Sequence, residues 1–170
     1  MRHSPPRAAL SRAARNNLSL KPFTPLNASL QAEPPPARVL AVDDNESIRA
    51  FLRHFFRLEG LPVEIIASGH EALARFRAAP HDYSMLMTDC EMPGMTGLEL
   101  AQKIREVRAD IPMLIFSTSV SVEGTEPFLK LGFQAALPKP VSLEKLRLAL
   151  HATLAGTSAK PVGADPAPAE

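Results

Sequence analysis

Five polar residues have side chains suited to chemistry, and each follows a short apolar run: Asp43, Asp44, Asp89, Ser117 and Lys139. Three carboxylates held a few ångströms apart repel one another by about 1 kcal/mol per pair even in water. A hard divalent cation relieves that repulsion, and oxygen ligands with retained waters are what Mg²⁺ prefers. An aspartate can also act as a nucleophile and form an aspartyl-phosphate, whose charge a metal and a lysine neutralise. The residue types therefore suit transfer of a phosphoryl group to a carboxylate.

The elements that must position these residues are short apolar strands and amphipathic helices in alternation. The predicted strands are residues 39–42, 63–67, 83–88, 113–116 and 134–137. The predicted helices are residues 45–60, 68–78, 96–108, 125–131 and 142–154, where apolar residues recur at helical spacing. The helices at Ser68 and Thr96 begin with the serine or threonine and the later glutamate of a capping box.

Five successive strand-then-helix units predict an α/β protein with a doubly wound, five-stranded parallel sheet. The strands are almost uniformly apolar, which indicates a sheet that is covered on both faces. In open sheets of this class, ligands bind outside the carboxyl ends of the strands. The five polar residues are therefore expected to meet at one edge of the sheet.

Composition limits the class of protein. A chain of 170 residues, 45% of them hydrophobic, suffices for one well-cored domain. Its net charge of +1 gives no strong field for nucleic acid or membrane, and neither partner is predicted. Cys90 is the single cysteine, so no disulfide can form within the chain. No apolar run is long enough to cross a bilayer and no secretory signal is evident, so we expect a cytoplasmic protein without membrane insertion.

Composition also divides the chain into three parts. Residues 1–37 contain several arginines and a run of three prolines, and residues 156–170 are rich in alanine and proline. Segments of this kind bury too little apolar surface to offset their ordering entropy, so both are predicted to be disordered tails. An acid-poor start with arginine and serine is also compatible with a transit peptide, although a solvated tail is favoured. Residues 38–155 are expected to form the folded domain.

Four segments of this domain resemble the receiver domains of two-component response regulators. They are residues 39–45 (VLAVDDN), 87–97 (MTDCEMPGMTG), 111–117 (IPMLIFS) and 138–140 (PKP). The similarity extends over essentially the whole folded unit, in the same order and spacing. It implies a flavodoxin-like fold with strand order 2-1-3-4-5 and five helices.

The resemblance also implies a role for each acid. Asp89 would be the phosphoacceptor, taking phosphate from a sensor histidine kinase or a histidine phosphotransfer protein. Asp44 and Asp89, with the backbone carbonyl of Glu91, would hold Mg²⁺ or Mn²⁺, and Asp43 would act through a metal-bound water.

The remaining expected site residues lie at the ends of the last two strands. Ser117 would hydrogen-bond the phosphoryl group and move with it, and Lys139 would pair with that group. Pro140 is the candidate for a cis peptide bond after the lysine.

The sequence departs from the family where the signal would leave the site. Ala136 stands where many receivers have a tyrosine or phenylalanine. Gly124 and Pro127 both weaken the fourth helix, proline by about 3 kcal/mol in a helix interior. The hypothesis is that region 120–135 responds by ordering or shifting as a segment instead of through an aromatic rotamer.

Three functions fit these features. The favoured one is a single-domain response regulator, not a turnover enzyme, that signals to an unknown downstream protein through changed contacts or passes its phosphate on. A phosphatase with an aspartate nucleophile is disfavoured, because Glu91 stands where the haloacid-dehalogenase pattern needs a second aspartate. An adaptor that keeps the receiver fold without phosphorylation remains the alternative, and acetyl phosphate labelling would distinguish them.

Overall fold

The computed structural model describes residues 37–156. The predictions for the two tails lie outside the described residues, except at Ala37 and Gly156. Five strands form one parallel sheet: β1 (Arg38–Val42), β2 (Val63–Ile66), β3 (Tyr83–Thr88), β4 (Met113–Ser117) and β5 (Ala135–Pro138). Their order is β2-β1-β3-β4-β5, with every neighbouring pair parallel. This order confirms the expected flavodoxin-like sheet.

The described residues contain six α-helices, and not the five that were expected; five of them lie between strands and the sixth follows β5. They are α1 (Glu46–Glu59), α2 (Gly69–Ala78), α3 (Gly97–Val107), α4 (Ser119–Glu123), α5 (Glu126–Lys130) and α6 (Leu143–Leu154). A short 3₁₀ helix, Pro80–Asp82, leads into β3. The extra helix arises because the fourth connection divides into α4 and α5, whereas the sequence indicated a helix only near residues 125–131. None of the helices between residues 37 and 156 is both long and apolar enough to cross a membrane.

Local residue chemistry explains most of the helix boundaries. The side chain of Asn45 accepts hydrogen bonds from the first turn of α1, and Gly60 ends that helix at φ 65°. Thr96 forms the expected capping box with Glu99 at the start of α3. The capping box expected at Ser68 was wrong, because its side chain caps nothing. The glutamate that would complete that box, Glu71, pairs with an arginine one turn further along α2.

Gly124 and Pro127 divide the fourth connection. Gly124 follows α4 at φ 77°, a left-handed conformation that residues with a Cβ rarely adopt. Pro127 lies in the first turn of α5, where its missing N–H breaks no helical hydrogen bond. Two helices of five residues therefore replace a single longer one.

The core consists of two layers, because side chains of a strand alternate between the faces of the sheet. On one face, apolar residues of the sheet pack against α2, α3, α4 and α5. On the other face, the intervening strand residues pack against α1 and α6. Leu40 contributes to the first layer, while its neighbours Val39 and Ala41 contribute to the second. Both faces are thus covered, as the apolar strands predicted.

Strand register determines where the polar residues emerge. Val42 of β1 is paired with Thr88 of β3, so the next residues, Asp43 and Asp89, leave the sheet side by side. The N–H of Asp89 donates to the carbonyl of Val42 at 2.9 Å, which extends the pairing to the acceptor residue. At the other side of the sheet, Ser117 of β4 is paired with Pro138 of β5.

Candidate functional site

Three acids and one lysine meet at the carboxyl edge of the sheet. Asp43, Asp44 and Asp89 each present a carboxylate oxygen, and the three oxygens lie within 4.8 Å of one another. Nζ of Lys139 donates to Oδ2 of Asp43 at 2.5 Å and to Oδ2 of Asp89 at 2.7 Å. The ammonium of Lys139 balances one of the three negative charges. The two that remain match the charge of a single divalent cation. The oxygen-only donor set fits Mg²⁺ or Mn²⁺.

Asp43 is held in place from several directions. It is buried, and its Oδ1 accepts a hydrogen bond from the N–H of Asn45 at 3.0 Å. The guanidinium of Arg49, on the first turn of α1, donates to the Asp43 carbonyl at 2.9 Å. Burial raises the pKa of the Asp43 carboxyl above its usual value, and the contact with Lys139 acts in the opposite direction. Sequence reasoning missed Arg49, because an arginine in the first turn of a helix has no distinctive signature.

Lys139 is fixed by more than its ion pairs. Its side chain is 9% exposed, and its ammonium lies 5.2 Å from the centre of the Phe116 ring. The backbone N–H of Lys139 donates to the carbonyl of Ser117 at 3.2 Å. The peptide bond between Lys139 and Pro140 is cis, the isomer that was expected there.

The loop after Asp89 folds back tightly beneath the acid. Oδ1 of Asp89 accepts from the N–H of Cys90 at 2.6 Å, while the carbonyl of Cys90 accepts from the N–H of Gly97 at 2.9 Å. A Cβ added at Gly97 would lie 1.8 Å from the carbonyl oxygen of Asp89. Only glycine fits at that contact, so Gly97 allows the loop to direct the acceptor carboxylate. The sequence pattern contained this glycine, but the close approach could only be seen in three dimensions.

Ser117 and Glu91 are both hydrogen-bonded to Ser119, a residue that sequence reasoning missed. Ser117 is fully buried at the end of β4, and its Oγ accepts from the N–H of Ser119 at 3.3 Å. The Ser119 hydroxyl donates to Oε1 of Glu91 at 2.7 Å. The Glu91 carboxylate is thus bound to the first residue of α4. The role of the Glu91 carbonyl as a metal ligand stays a prediction.

Cys90, the single cysteine, lies next to the acceptor. It is half-buried and packs against the core layer that includes α2 and α3. Burial raises the pKa of its thiol, although a hydrogen bond with Ser119 acts in the opposite direction. A raised pKa leaves little thiolate at neutral pH, which agrees with an unreactive side chain.

Comparison with known proteins defines the class that this fold and acid cluster represent. Residues 39–151 match the family described as the response regulator receiver domain. The chain therefore belongs to the receiver domain family of two-component response regulators, whose members are phosphoacceptors. Curated relatives include response regulator MprA of Mycolicibacterium vanbaalenii, 34% identical over 123 residues, and MprA of Mycobacterium leprae, 35% identical over 120 residues. The matches cover 72% and 71% of this chain and 52% of each relative, so the chain spans about half their length.

Solved structures show the same fold. The chemotaxis protein CheY4 of Vibrio cholerae is 34% identical with a TM-score of 0.62, and the match covers 69% of this chain and 98% of that one. A receiver domain protein from Clostridium thermocellum is 22% identical with a TM-score of 0.65, covering 71% of this chain and 95% of that one. The second similarity concerns the fold alone.

Proposed function

We propose that the chain accepts a phosphoryl group on Asp89 from the phosphohistidine of a sensor histidine kinase or a histidine phosphotransfer protein, in a Mg²⁺-dependent reaction. The observation that supports this most directly is the cluster of three carboxylates with one bridging lysine. Such a cluster is electrostatically unfavourable in a purely structural role, because like charges repel strongly where solvent is partly excluded. A binding site for a cation and a phosphoryl group explains its presence.

The chain's own residues have distinct tasks in this transfer. A carboxylate oxygen of Asp89 attacks phosphorus, the new P–O bond forms, and the P–N bond to the donor imidazole breaks. Asp43, Asp44 and Asp89, with the Glu91 carbonyl, would hold the metal, which when bound neutralises charge on the phosphoryl oxygens.

Two further residues would act on the transferred group. Lys139 is already within hydrogen-bonding distance of Asp89 and would donate to a phosphoryl oxygen. The Ser117 hydroxyl would donate a hydrogen bond to another phosphoryl oxygen. Hydrolysis of the acyl phosphate at the same site would return Asp89 to its free form, so the cycle is one of autodephosphorylation and not turnover of an external substrate.

The chain is further proposed to act as a single-domain response regulator in the cytoplasm. The match to CheY4, which has been solved as a chemotaxis response regulator, covers 98% of that chain. Output would then be a change in contact with a downstream protein, or onward transfer of phosphate to a histidine, without nucleic-acid binding or membrane insertion. The alternative is a phosphorylation-independent adaptor, which the alanine at position 136 favours because the usual aromatic reporter is missing.

Labelling with acetyl phosphate tests the proposal. Intact-mass measurement of the wild type should show the gain of one phosphoryl group with Mg²⁺ and none without it. Asp89→Asn should show no gain, whereas Asp110→Asn should match the wild type, because the Asp110 side chain is 81% exposed and lies outside the cluster. No gain under any condition would support the adaptor instead, and a gain on Asp89→Asn would place the acceptor elsewhere.

A further inference from the structure

A groove of about 530 Å³ lies between α3 and the segment that follows α5. Its floor is apolar and buried, since Ala101 is 3% and Phe133 is 4% exposed. Leu98 of α3 lines one wall, and Leu131 lines the other with 51% of its surface exposed. Leucine at the opening of an apolar groove is unfavourable in water, and a docked apolar side chain would remove this surface from solvent.

The two walls of the groove are fixed to each other. Arg105 of α3 donates to the carbonyls of Leu131 and Gly132, both at 2.5 Å, and its guanidinium lies 5.9 Å from the centre of the Phe133 ring. Gly132 has φ 89°, and a Cβ there would lie 2.8 Å from the guanidinium nitrogens. The groove therefore exists before any partner binds, which reduces the conformational entropy that binding must cost.

One rim of the groove is acidic. Glu99, Gln102 and Glu106 line it at intervals of three and four residues, so they form one exposed row along α3. The bonds from Thr96 to the Glu99 carboxylate hold its pKa below the usual value, so this group stays charged at neutral pH. In the part of the chain from residue 37 to residue 156, no ion pair or hydrogen bond occupies the Glu106 carboxylate.

Charge and spacing together define what this groove would accept. Arg105 is the one cation among the lining residues, and its guanidinium is bound to the two carbonyls. Glu99 and Glu106 are seven residues apart, or about 10.5 Å along the helix axis. Two basic residues seven positions apart on a second helix have the same separation. Apolar residues three and four positions after the first of them lie on the same face of that helix.

We propose that this groove is a docking site for an amphipathic helix of a partner protein. The apolar face of that helix would lie on the floor formed by Ala101 and Phe133, and two basic residues seven positions apart would pair with Glu99 and Glu106. The inference goes beyond the proposed function, because no residue that lines the groove belongs to the acid cluster.

A synthetic helical peptide with two lysines seven positions apart and two leucines between them tests the proposal. Titrated into the full isotope-labelled chain, it should shift the backbone amide resonances of residues 98–106 and 131–133. Glu106→Lys should weaken peptide binding by about fivefold, the upper range for an exposed ion pair. A second peptide, with glutamates in place of the lysines, should bind Glu106→Lys more tightly than the wild type.

Matched variants separate the groove from the rest of the surface. Leu131→Ser keeps the backbone carbonyl that Arg105 binds but removes the exposed apolar side chain, so peptide affinity should fall by about tenfold. Leu58→Ser removes a leucine that is 58% exposed on α1, and Glu144→Gln removes an exposed acid of α6. Both helices pack on the other face of the sheet, so both controls should bind the peptide like the wild type.

The outcomes are distinct from those that test the proposed function. Unchanged resonances at the groove with the lysine peptide would overturn the inference, and so would equal affinities of the wild type and Glu106→Lys. Self-association that Leu131→Ser abolishes, without peptide binding, would identify a second copy as the occupant and overturn it too. Acetyl phosphate should label Glu106→Lys and Leu131→Ser like the wild type, so loss of docking and loss of phosphorylation are recorded separately.

Discussion

The ammonium of Lys139 lies 2.5 Å from a carboxylate oxygen of Asp43, although the two residues are 96 positions apart in the chain. Both side chains are almost completely buried, and the same ammonium also binds Asp89. This contact connects the first strand of the sheet to the last, and it assembles the acid cluster around one cation.

Replacing the Lys139 ammonium with an uncharged side chain should lower the free energy of unfolding. Lys139→Met leaves the buried Asp43 without its partner, and loss of one member of a buried ion pair costs about 3 to 5 kcal/mol. Urea unfolding should show this loss without metal and a smaller loss with Mg²⁺, because the metal takes over part of the neutralisation. Lys130→Met is the matched control: Lys130 pairs with Glu126 on the surface, where the side chain is 74% exposed. Equal stabilities of the two variants would contradict the prediction.

Metal binding should appear as a stability increase even without phosphate. A ligand that binds only the folded state stabilises it by about 2.7 kcal/mol at a concentration of 100 times its Kd. We expect Mg²⁺ to raise the unfolding midpoint of the wild type and to raise it much less in Asp44→Asn, which loses one charged ligand. Asp110→Asn should respond like the wild type. A midpoint that does not depend on Mg²⁺ would argue against a metal site.

Gly97 should tolerate no side chain. The methyl group of Gly97→Ala would lie 1.8 Å from the Asp89 carbonyl, so the loop carrying the acceptor must move. We expect a loss of about 3 kcal/mol, at the upper end for overpacking, together with weaker Mg²⁺ binding by calorimetry. Gly60→Ala provides the comparison, since Gly60 has φ 65° but no atom near its Cβ position. That variant should lose only about 1 to 2 kcal/mol of backbone strain and bind metal normally.

Tyr83 should titrate far above a free tyrosine. Burial, followed by its hydrogen bond to Glu64, raises the pKa of Tyr83 from 10.0 to about 12. Because the folded pKa is the higher one, this group's contribution to stability is complete below pH 10 and is lost as the pH rises through about 12. Tyr83 is the one tyrosine of a chain without tryptophan, so near-ultraviolet absorbance reports its ionisation directly.

Two comparisons check this assignment. In the chain unfolded in denaturant, Tyr83 should titrate with a pKa near 10.0. Tyr83→Phe should reduce the loss of stability between pH 10 and pH 12. A midpoint near 10 in the folded protein would show that the hydroxyl is not held as the structure indicates.

The sequence by itself determined the class of fold and which acids and lysine meet at the carboxyl edge of the sheet. Apolar runs that alternate with helical patterns allow few arrangements other than a parallel sheet covered on both faces, since predicted strands such as 113–116 have no polar side. The rule that ligands bind at the carboxyl ends of strands then selected Asp43, Asp89 and Lys139 as neighbours. These inferences need only local periodicity and chain connectivity, which the order of residues contains.

Tertiary structure alone decided how those residues are connected. The capping pattern at Ser68 is not realised, since its side chain accepts no bond from the helix and Glu71 pairs with Arg75. Helix α4 was missed because a five-residue helix has too short a pattern to detect. The contacts of Arg49, Gly97 and Ser119 depend on elements that pack from distant parts of the chain, so no local pattern could indicate them. The types of residues in the site follow from local order, whereas their contacts follow from packing.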